Sequence, residues 1–158
     1  MENPEKTALI AGTFDPVTVG HLDIIRRTAA LYDRVFVAVC RNEAKTPLFS
    51  EETRLAALAV ATRDIANVEV IRGEGLTAEF ARKIGADVIV KGVRNEADFT
   101  YERDMADYNR SVSGIETLFL PASPDVAAVS STLVRERLAE NESIADLVPA
   151  PVLPLLRP

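Results

Sequence analysis

Five short apolar runs alternate with helix-forming segments along this chain, and that alternation most constrains its fold. Each run is rich in apolar, often β-branched residues and is bounded by polar or glycine-containing stretches, as buried strands are. The predicted strands are Thr7–Ala11, Arg34–Val39, Val68–Ile71, Asp87–Val90 and Glu116–Leu120. Continuous apolar strands with helices between them predict an α/β fold, here a single Rossmann-like, doubly wound domain with a five-stranded parallel sheet.

The segments between these strands carry helix start and stop signals. Ser50 supplies a capping hydroxyl, and the acidic pair Glu51 and Glu52 suits the first turn of the helix that follows. Gly85 is placed to end the next helix as its C-terminal cap. The predicted helices are Gly20–Ala30, Ser50–Thr62, Thr77–Ile84, Ala97–Val112, Ser131–Ala139 and a short one at Ser143–Val148.

The size and composition of the chain favour one domain. Its 158 residues are 47% apolar, enough for a substantial core, and no repeat or linker divides them. We therefore predict a single domain over residues 1–158, ending in a Pro-rich apolar segment at about residues 149–158. That tail is expected to lie as a strap against the surface, and a self-association contact is the alternative.

Charge and rare residues exclude several classes of protein. A net charge of -6 argues against general binding to nucleic acid or membrane surfaces, so an anionic substrate would need a local basic cluster. One Cys and one His exclude a disulfide framework, a Cys-based zinc site and a three-His metal site. The acidic opening, Met1–Glu5, does not resemble a leader, and no apolar run reaches the roughly 18 residues of a membrane span, so we expect a soluble, cytoplasmic protein.

The segment after the first strand holds the clearest functional pattern. Ligands of open α/β sheets bind beyond the carboxyl ends of the strands. There, Gly12 allows close approach of the backbone to a ligand, and Gly20–His21 opens a helix whose free N–H groups suit a phosphate. Read alone, His21 is more often a capping or packing residue, and Thr18 is an ordinary N-cap.

Taken together, the motifs resemble those of a known family. Thr18-Val19-Gly20-His21 resembles the T/HxGH motif of the nucleotidyltransferase superfamily, and the longer string from Gly12 to His21 resembles the opening of bacterial phosphopantetheine adenylyltransferases. Further motifs follow in the order of that family, at Ala44–Phe49, Val90–Arg94, Asp98–Glu102 and Val129–Arg135. The similarity extends over nearly the whole chain.

The resemblance implies a reaction, cofactor and assembly. It implies that 4′-phosphopantetheine attacks ATP directly and in line, giving dephospho-coenzyme A and pyrophosphate without a covalent enzyme intermediate, in the penultimate step of coenzyme A biosynthesis. Mg²⁺ would accompany ATP, and the protein would be a homohexamer with no nucleic-acid or membrane partner. The nucleophile is already a phosphate oxyanion, so positioning and charge neutralisation suffice without a strong general base.

The same resemblance implies roles for individual residues. His21 would contact the ATP phosphates and stabilise the transition state, and Thr13 would hydrogen-bond both reacting groups. Lys45 and Lys91 would hold the acceptor phosphate. Leu76 and Thr77 would flank the pantetheine arm, and no residue is expected to ligate a metal directly. The ATP site would comprise Thr13, Phe14, His21, Gly92, Val93, Arg94, Glu102, Val126, Ala127, Ala128, Val129, Ser130, Ser131 and Thr132.

Simpler interpretations stay open for several of these residues. Lys45 has the pattern of an exposed loop lysine, Leu76 that of a core residue, and Arg94 and Glu102 that of a structural ion pair. Ser130 or Ser131 is an N-cap whatever else it does. The alternative functions are another nucleotidyltransferase, such as a cytidylyltransferase or a nicotinamide mononucleotide adenylyltransferase, and a non-catalytic nucleotide-binding module.

Overall fold

The computed structural model describes residues 3–157. Met1 and Glu2, which belong to the predicted non-leader opening, and Pro158, the end of the predicted tail, lie outside the described residues. The elements in chain order are β1 (Thr7–Gly12), α1 (Val19–Leu31), β2 (Arg34–Val39), α2 (Glu51–Thr62), β3 (Val68–Arg72), α3 (Thr77–Lys83), β4 (Val88–Val93), α4 (Glu96–Ser113), β5 (Glu116–Pro121), α5 (Ser131–Ala139) and a 3₁₀ helix (Ala150–Leu156).

The five strands form one all-parallel sheet in the order β3-β2-β1-β4-β5. The chain builds outward from β1 on one side and then returns to place β4 on the other side, which is the doubly wound topology. The predicted fold class and five-stranded parallel sheet are confirmed.

The neighbouring strands β1 and β4 separate towards their carboxyl ends. β1 pairs with β2 along all of its length, from Thr7 to Gly12. With β4 it pairs only at Ala8–Val88 and Leu9–Ile89. This gap lies where the strand order reverses, and it opens a crevice at the edge of the sheet where ligands of such folds bind.

Helices cover the sheet on both faces. The larger core packs α1, α2 and α5 against one face through side chains that include Ile25, Leu58 and Val134, all fully buried. The smaller core packs α3 against the other face through Phe80 and Ala81. The inner strands β1 and β2 are therefore buried on both faces, which accounts for their continuous apolar runs in the sequence.

Several predicted element bounds are confirmed and two are corrected. Ser50 caps α2 as predicted, and Gly85 follows α3 in the left-handed region at φ 75°. The predicted helix at Ser143–Val148 is wrong, because this stretch forms turns and buries Ile144, Leu147 and Val148 against the larger core. β4 is longer than predicted and includes Lys91 and Gly92, which pair with β5.

The Pro-rich tail forms a short 3₁₀ helix over Ala150–Leu156 that packs against α2. Its Val152 and Leu156 side chains are buried in the larger core. Across residues 3–157, no helix combines the length and apolar character needed to cross a bilayer.

Candidate functional site

A cavity of about 620 Å³ lies at the carboxyl edge of the sheet, where β1 and β4 part. Its floor includes Ile10–Gly12 from β1 and Val90–Gly92 from β4, and its walls come from loops and from the first turns of α1 and α5. Helix N-termini carry unpaired N–H groups and a partial positive charge. The cavity therefore combines a crevice with two positive helix ends.

Most of the predicted site residues line this one cavity although they are far apart in sequence. Leu76, Thr77, Val93, Ala127 and Ala128 are not among the residues that line it. The predicted residues that do so are Thr13, Phe14, His21, Lys45, Lys91, Gly92, Arg94, Glu102, Val126, Val129, Ser130, Ser131 and Thr132.

The chain turns sharply at Phe14, just after the carboxyl end of β1. Its φ of 49° lies in the left-handed region, which is unusual for a residue with a side chain. The ring is buried and meets the imidazole of His21 edge to face, with the ring centroids 5.0 Å apart. A Cβ on Gly12 would lie 3.2 Å from the Phe14 ring, so the glycine leaves room for this turn.

His21 forms a reciprocal cap with Thr18 at the start of α1. The Thr18 hydroxyl accepts the His21 backbone N–H at 3.2 Å, and the Thr18 backbone N–H donates to His21 Nδ1 at 3.0 Å. Because a backbone N–H can only donate, Nδ1 must be the acceptor and the proton of neutral His21 sits on Nε2. The capping interpretation of both residues is thus correct, and the cap also fixes the tautomer.

The surroundings of His21 keep its imidazole neutral. Burial, followed by the positive charges of Arg94 and Lys91, lowers the pKa of His21 from 6.5 to about 4. At neutral pH His21 can therefore donate a hydrogen bond from Nε2 to an anion without carrying a charge.

Lys91 bridges the gap between the central strands. Its Nζ lies 3.5 Å from the carbonyl oxygen of Ala11 and 3.7 Å from the Glu102 carboxylate. Arg94 pairs with Asp98 at 3.0 Å. The ion pair between Arg94 and Glu102, which was the simpler alternative, is therefore replaced by two other pairs.

Two further simple interpretations are also decided by the structure. Leu76 is 48% exposed at the start of α3 and is not a core residue. Lys45 is exposed, as a loop lysine would be, but it also lines the cavity.

The start of α5 is fastened to the turn after β1. Ser130 is the N-cap and accepts the Leu133 N–H at 3.1 Å, as predicted. Ser131 donates its hydroxyl to the carbonyl of Pro16 at 2.8 Å, and Arg135 donates to the carbonyl of Asp15 at 2.7 Å. These bonds fix the positive end of α5 beside the cavity.

Sequence reasoning missed some residues that shape the site. Asp15 and Arg135 line the cavity, although the motifs that contain them predict no role for either residue. Asp23 of α1 accepts the Ser123 hydroxyl at 2.9 Å, which ties the loop after β5 to α1. Burial raises the pKa of Asp23, but hydrogen bonds from Ser123 and Arg27 outweigh it and lower the pKa. The only sequence signal for this network is an acid–base pair spaced four residues apart on one helix, Asp23 and Arg27.

Within residues 3–157, no group of three or more His, Cys, Asp or Glu side chains is arranged to hold a metal ion. Four positively charged side chains line the cavity: Lys45, Lys91, Arg94 and Arg135. The cavity is therefore suited to phosphate groups, although the chain as a whole is acidic.

Comparison with known proteins places this site in a family. The cytidylyltransferase-like family model matches residues 9–137. The phosphopantetheine adenylyltransferase of a Synechococcus species is 47% identical over 151 residues, covering 95% of each chain. That of Bifidobacterium longum is 43% identical over 151 residues, covering 94% of this chain and 91% of the relative.

A solved structure agrees in fold. The putative nicotinate-nucleotide adenylyltransferase of Vibrio parahaemolyticus superposes with a TM-score of 0.71 at 19% identity, covering 97% of this chain and 92% of that one. At that identity the likeness speaks for the fold alone. The sequence relatives go further, because their identity is high and spans both chains almost completely. The chain therefore belongs to the phosphopantetheine adenylyltransferase family, a family of nucleotidyltransferase enzymes, as its motifs predicted.

Proposed function

We propose that this protein transfers the adenylyl group of ATP to 4′-phosphopantetheine, giving dephospho-coenzyme A and pyrophosphate in coenzyme A biosynthesis. The observation that carries the proposal is one cavity that joins a neutral His21 to Lys45, Lys91 and Arg94 beside two helix N-termini. Such a set matches a reaction between two polyanions, in which charge must be neutralised and no thiol or strong base is needed.

The reaction is a direct displacement at phosphorus. A phosphate oxygen of phosphopantetheine attacks the α-phosphorus of ATP in line, and the bond to the oxygen that bridges the α- and β-phosphates breaks as the new P–O bond forms. Pyrophosphate leaves with the electron pair of the broken bond. No residue of the protein becomes covalently attached, and the same path run backwards makes the reaction reversible.

Each charged or polar group has a place in this displacement. Lys45 and Lys91 hold the acceptor phosphate, and Thr13 hydrogen-bonds both reacting groups. His21 donates a hydrogen bond from Nε2 to the α-phosphate oxygens, on which negative charge develops. The tautomer fixed by Thr18 supports this role. Ser130, Ser131 and Thr132 offer hydroxyl and N–H groups to the ATP phosphates at the start of α5.

The remaining predicted residues complete the two substrate sites. Gly92, Arg94 and Glu102 line the same cavity and are assigned to its ATP side. Leu76 and Thr77, at the start of α3, are assigned to the pantetheine arm. The rest of the ATP side is assigned to Phe14, Val93, Val126, Ala127, Ala128 and Val129.

Mg²⁺ is proposed to enter with ATP. This ion commonly keeps several waters and binds substrate phosphates, and there it would neutralise part of their negative charge. Lys91 and Arg94, which line the same cavity, would supply further positive charge.

A pyrophosphate-release assay tests the activity. Protein is incubated with ATP and 4′-phosphopantetheine, with and without Mg²⁺, and with nicotinamide mononucleotide as an alternative acceptor; CTP with phosphocholine tests the cytidylyltransferase alternative. We expect release only with ATP and phosphopantetheine, and strongly reduced release without Mg²⁺. Release with another pair of substrates, or with none, contradicts the proposal, and binding of ATP without turnover would favour a non-catalytic module.

We further propose that the protein assembles as a homohexamer and works in the cytoplasm. Apolar side chains of α4 stay exposed, with Tyr101 67%, Tyr108 48% and Met105 39% accessible. The tail is a weaker contact candidate, because its Val152 and Leu156 are already buried in the chain's own core. An exposed apolar helix face is typical of an association surface.

Light scattering tests this assembly. We expect a hexamer mass at micromolar concentration for the wild type and a smaller mass for the double variant Tyr101→Glu with Met105→Glu. Thr100→Glu adds a charge to the same helix at a polar position and serves as the control. A monomer mass for the wild type, or an unchanged mass for the double variant, would refute the contact.

A further inference from the structure

Two loops carry the residues that are assigned to the acceptor phosphate. The Thr13 loop comprises residues 13–18 after β1, and the Lys45 loop comprises residues 40–50 between β2 and α2. In the Lys45 loop, residues 41–46 are exposed and belong to no helix or strand. The loop is held at its start, where the Cys40 N–H donates to the Gly12 carbonyl at 2.8 Å, and contacts at its second half supply the other anchor for Lys45.

The Asp15 carboxylate supplies one of these contacts. Its side chain is only 6% exposed. Its Oδ2 accepts the Leu48 N–H at 2.8 Å, and its Oδ1 accepts the Phe49 N–H at 2.9 Å. Both oxygens are thus engaged by consecutive amides of the Lys45 loop, as in a capped turn.

Arg54 of α2 supplies the second contact. Its side chain is 6% exposed, and the guanidinium donates to the Phe49 carbonyl at 3.1 Å and to the Thr13 carbonyl at 2.9 Å. Among residues 3–157, no carboxylate oxygen lies within 4 Å of this guanidinium. One rigid fork therefore joins the two loops directly through their backbones.

Burial of these two charges costs free energy, which their hydrogen bonds to the loop backbones offset. A buried guanidinium without a carboxylate partner loses hydration, and a carboxylate at a cavity meant for phosphates repels them. In the Asp15 case the repulsion is reduced because both oxygens face amides, and because Arg135 lies 3.7 Å from Oδ2. Both groups direct their hydrogen bonds at loop backbone.

We propose that Arg54 and Asp15 are positioning residues that clamp the Lys45 loop to the Thr13 loop and so set the width of the acceptor-phosphate site. The inference rests on the proposed function, because it assumes that Lys45 and Thr13 bind this phosphate. Arg54 does not line the main cavity, so its effect on the reaction passes through the loops that it joins.

The first test compares Arg54→Lys with the control Arg26→Lys, which alters an exposed arginine paired with Asp64. Lysine keeps the charge but has one ammonium group, which does not reproduce the two-armed contact. We expect the KM for phosphopantetheine to rise about tenfold or more in Arg54→Lys, with a smaller change in the KM for ATP, since misplacement of a positioning loop has effects of this order. The control leaves both values unchanged.

A second readout does not depend on turnover. Amide hydrogen exchange measured by NMR reports whether the Leu48 and Phe49 N–H groups are held. We expect their exchange to accelerate in Arg54→Lys while the amides of β1 and β2 keep their protection. Asp15→Asn replaces one acceptor oxygen by an NH₂ group and should act in the same direction, and Asp64→Asn is its matched control.

The outcomes separate the clamp from the activity. If wild-type protein does not use phosphopantetheine, the proposed function fails, but the exchange data still decide whether the clamp holds the loop. If both KM values change equally and exchange at Leu48 and Phe49 is unaltered, Arg54 only supports the fold and the proposal is overturned. If Arg54→Lys does not fold, the same two readouts in Asp15→Asn decide the proposal.

Discussion

The Nδ1 atom of His21 lies 3.0 Å from the backbone nitrogen of Thr18, and this contact directs the ring proton to Nε2. The helix cap and the proposed catalytic donor are therefore one side chain. A variant at this position removes both a cap and a transition-state contact, and the two effects need separate controls.

Replacement of His21 by alanine is expected to lower kcat by about a hundredfold or more, as for the loss of one transition-state donor, while ATP still binds. Steady-state pyrophosphate release and calorimetric ATP binding measure the two quantities. Ser50→Ala removes one capping hydrogen bond from α2, where the hydroxyl accepts the Thr53 N–H at 3.1 Å, and Ser50 does not line the main cavity. Equal kcat in His21→Ala and wild type would refute the role given to His21.

The pH dependence of stability follows from the neutral state of His21. Its pKa is about 4 in the fold and near 6.5 in the unfolded chain, so between these values the unfolded state binds more protons. The contribution of His21 to stability is therefore present above pH 6.5 and is lost as the pH falls towards 4. Urea unfolding at pH 7 and pH 5 should show a larger loss for wild type than for His21→Gln. An equal loss in both proteins would contradict the lowered pKa.

The charge on Lys91 is expected to matter more than its exact shape. Lys91→Met should raise the KM for phosphopantetheine at least about tenfold, because a charge-assisted contact to phosphate is lost, while Lys91→Arg keeps much of the activity. Lys83→Met removes an exposed lysine that pairs with Glu74 and serves as the control. Wild-type KM in Lys91→Met, measured by initial rates, would exclude Lys91 from the acceptor site.

Gly92 permits the close approach of α1 to β4 beside the cavity. A Cβ at this position would lie 2.7 Å from Cγ1 of Ile24, so Gly92→Ala should destabilise the fold by about 1–3 kcal/mol through overpacking. Ile24→Val does not remove Cγ1 but shortens the side chain, and Ile24→Ala removes the clash. Urea denaturation should therefore show that Ile24→Ala lowers the free energy of unfolding less in the Gly92→Ala background than in wild type. Additive losses would argue against the close contact.

Much of this molecule could be predicted from its sequence, because local patterns and motif order carry the information. Apolar runs predicted the five strands, and capping residues such as Ser50 and Ser130 predicted helix starts. The helix at Ser143–Val148 was predicted wrongly, because burial of Ile144 and Leu147 produces a similar apolar spacing in turns.

The site was predicted less completely than the fold. The motifs predicted that Thr13, His21 and Lys91 belong to one site, and all three line one cavity, since the ends of parallel strands meet at one edge. The contacts of Asp15 and Arg54 join segments more than 30 residues apart through backbone atoms, and backbone donors and acceptors are the same for every residue type involved. The pairing of Lys91 with Glu102 likewise depends on the angle of α4 over the sheet, which no local pattern encodes.

The limited pairing of β1 with β4 also has a consequence for how such a site tolerates change. Beyond Leu9 and Ile89 the two strands face a cavity instead of each other, so part of the wall is main chain and is present whatever the side chains are. The carbonyl of Ala11, within reach of Lys91, is one such group. Mutation can exchange the side chains around this crevice, and with them the preferred substrate, while the opening itself is inherited from the order of the strands.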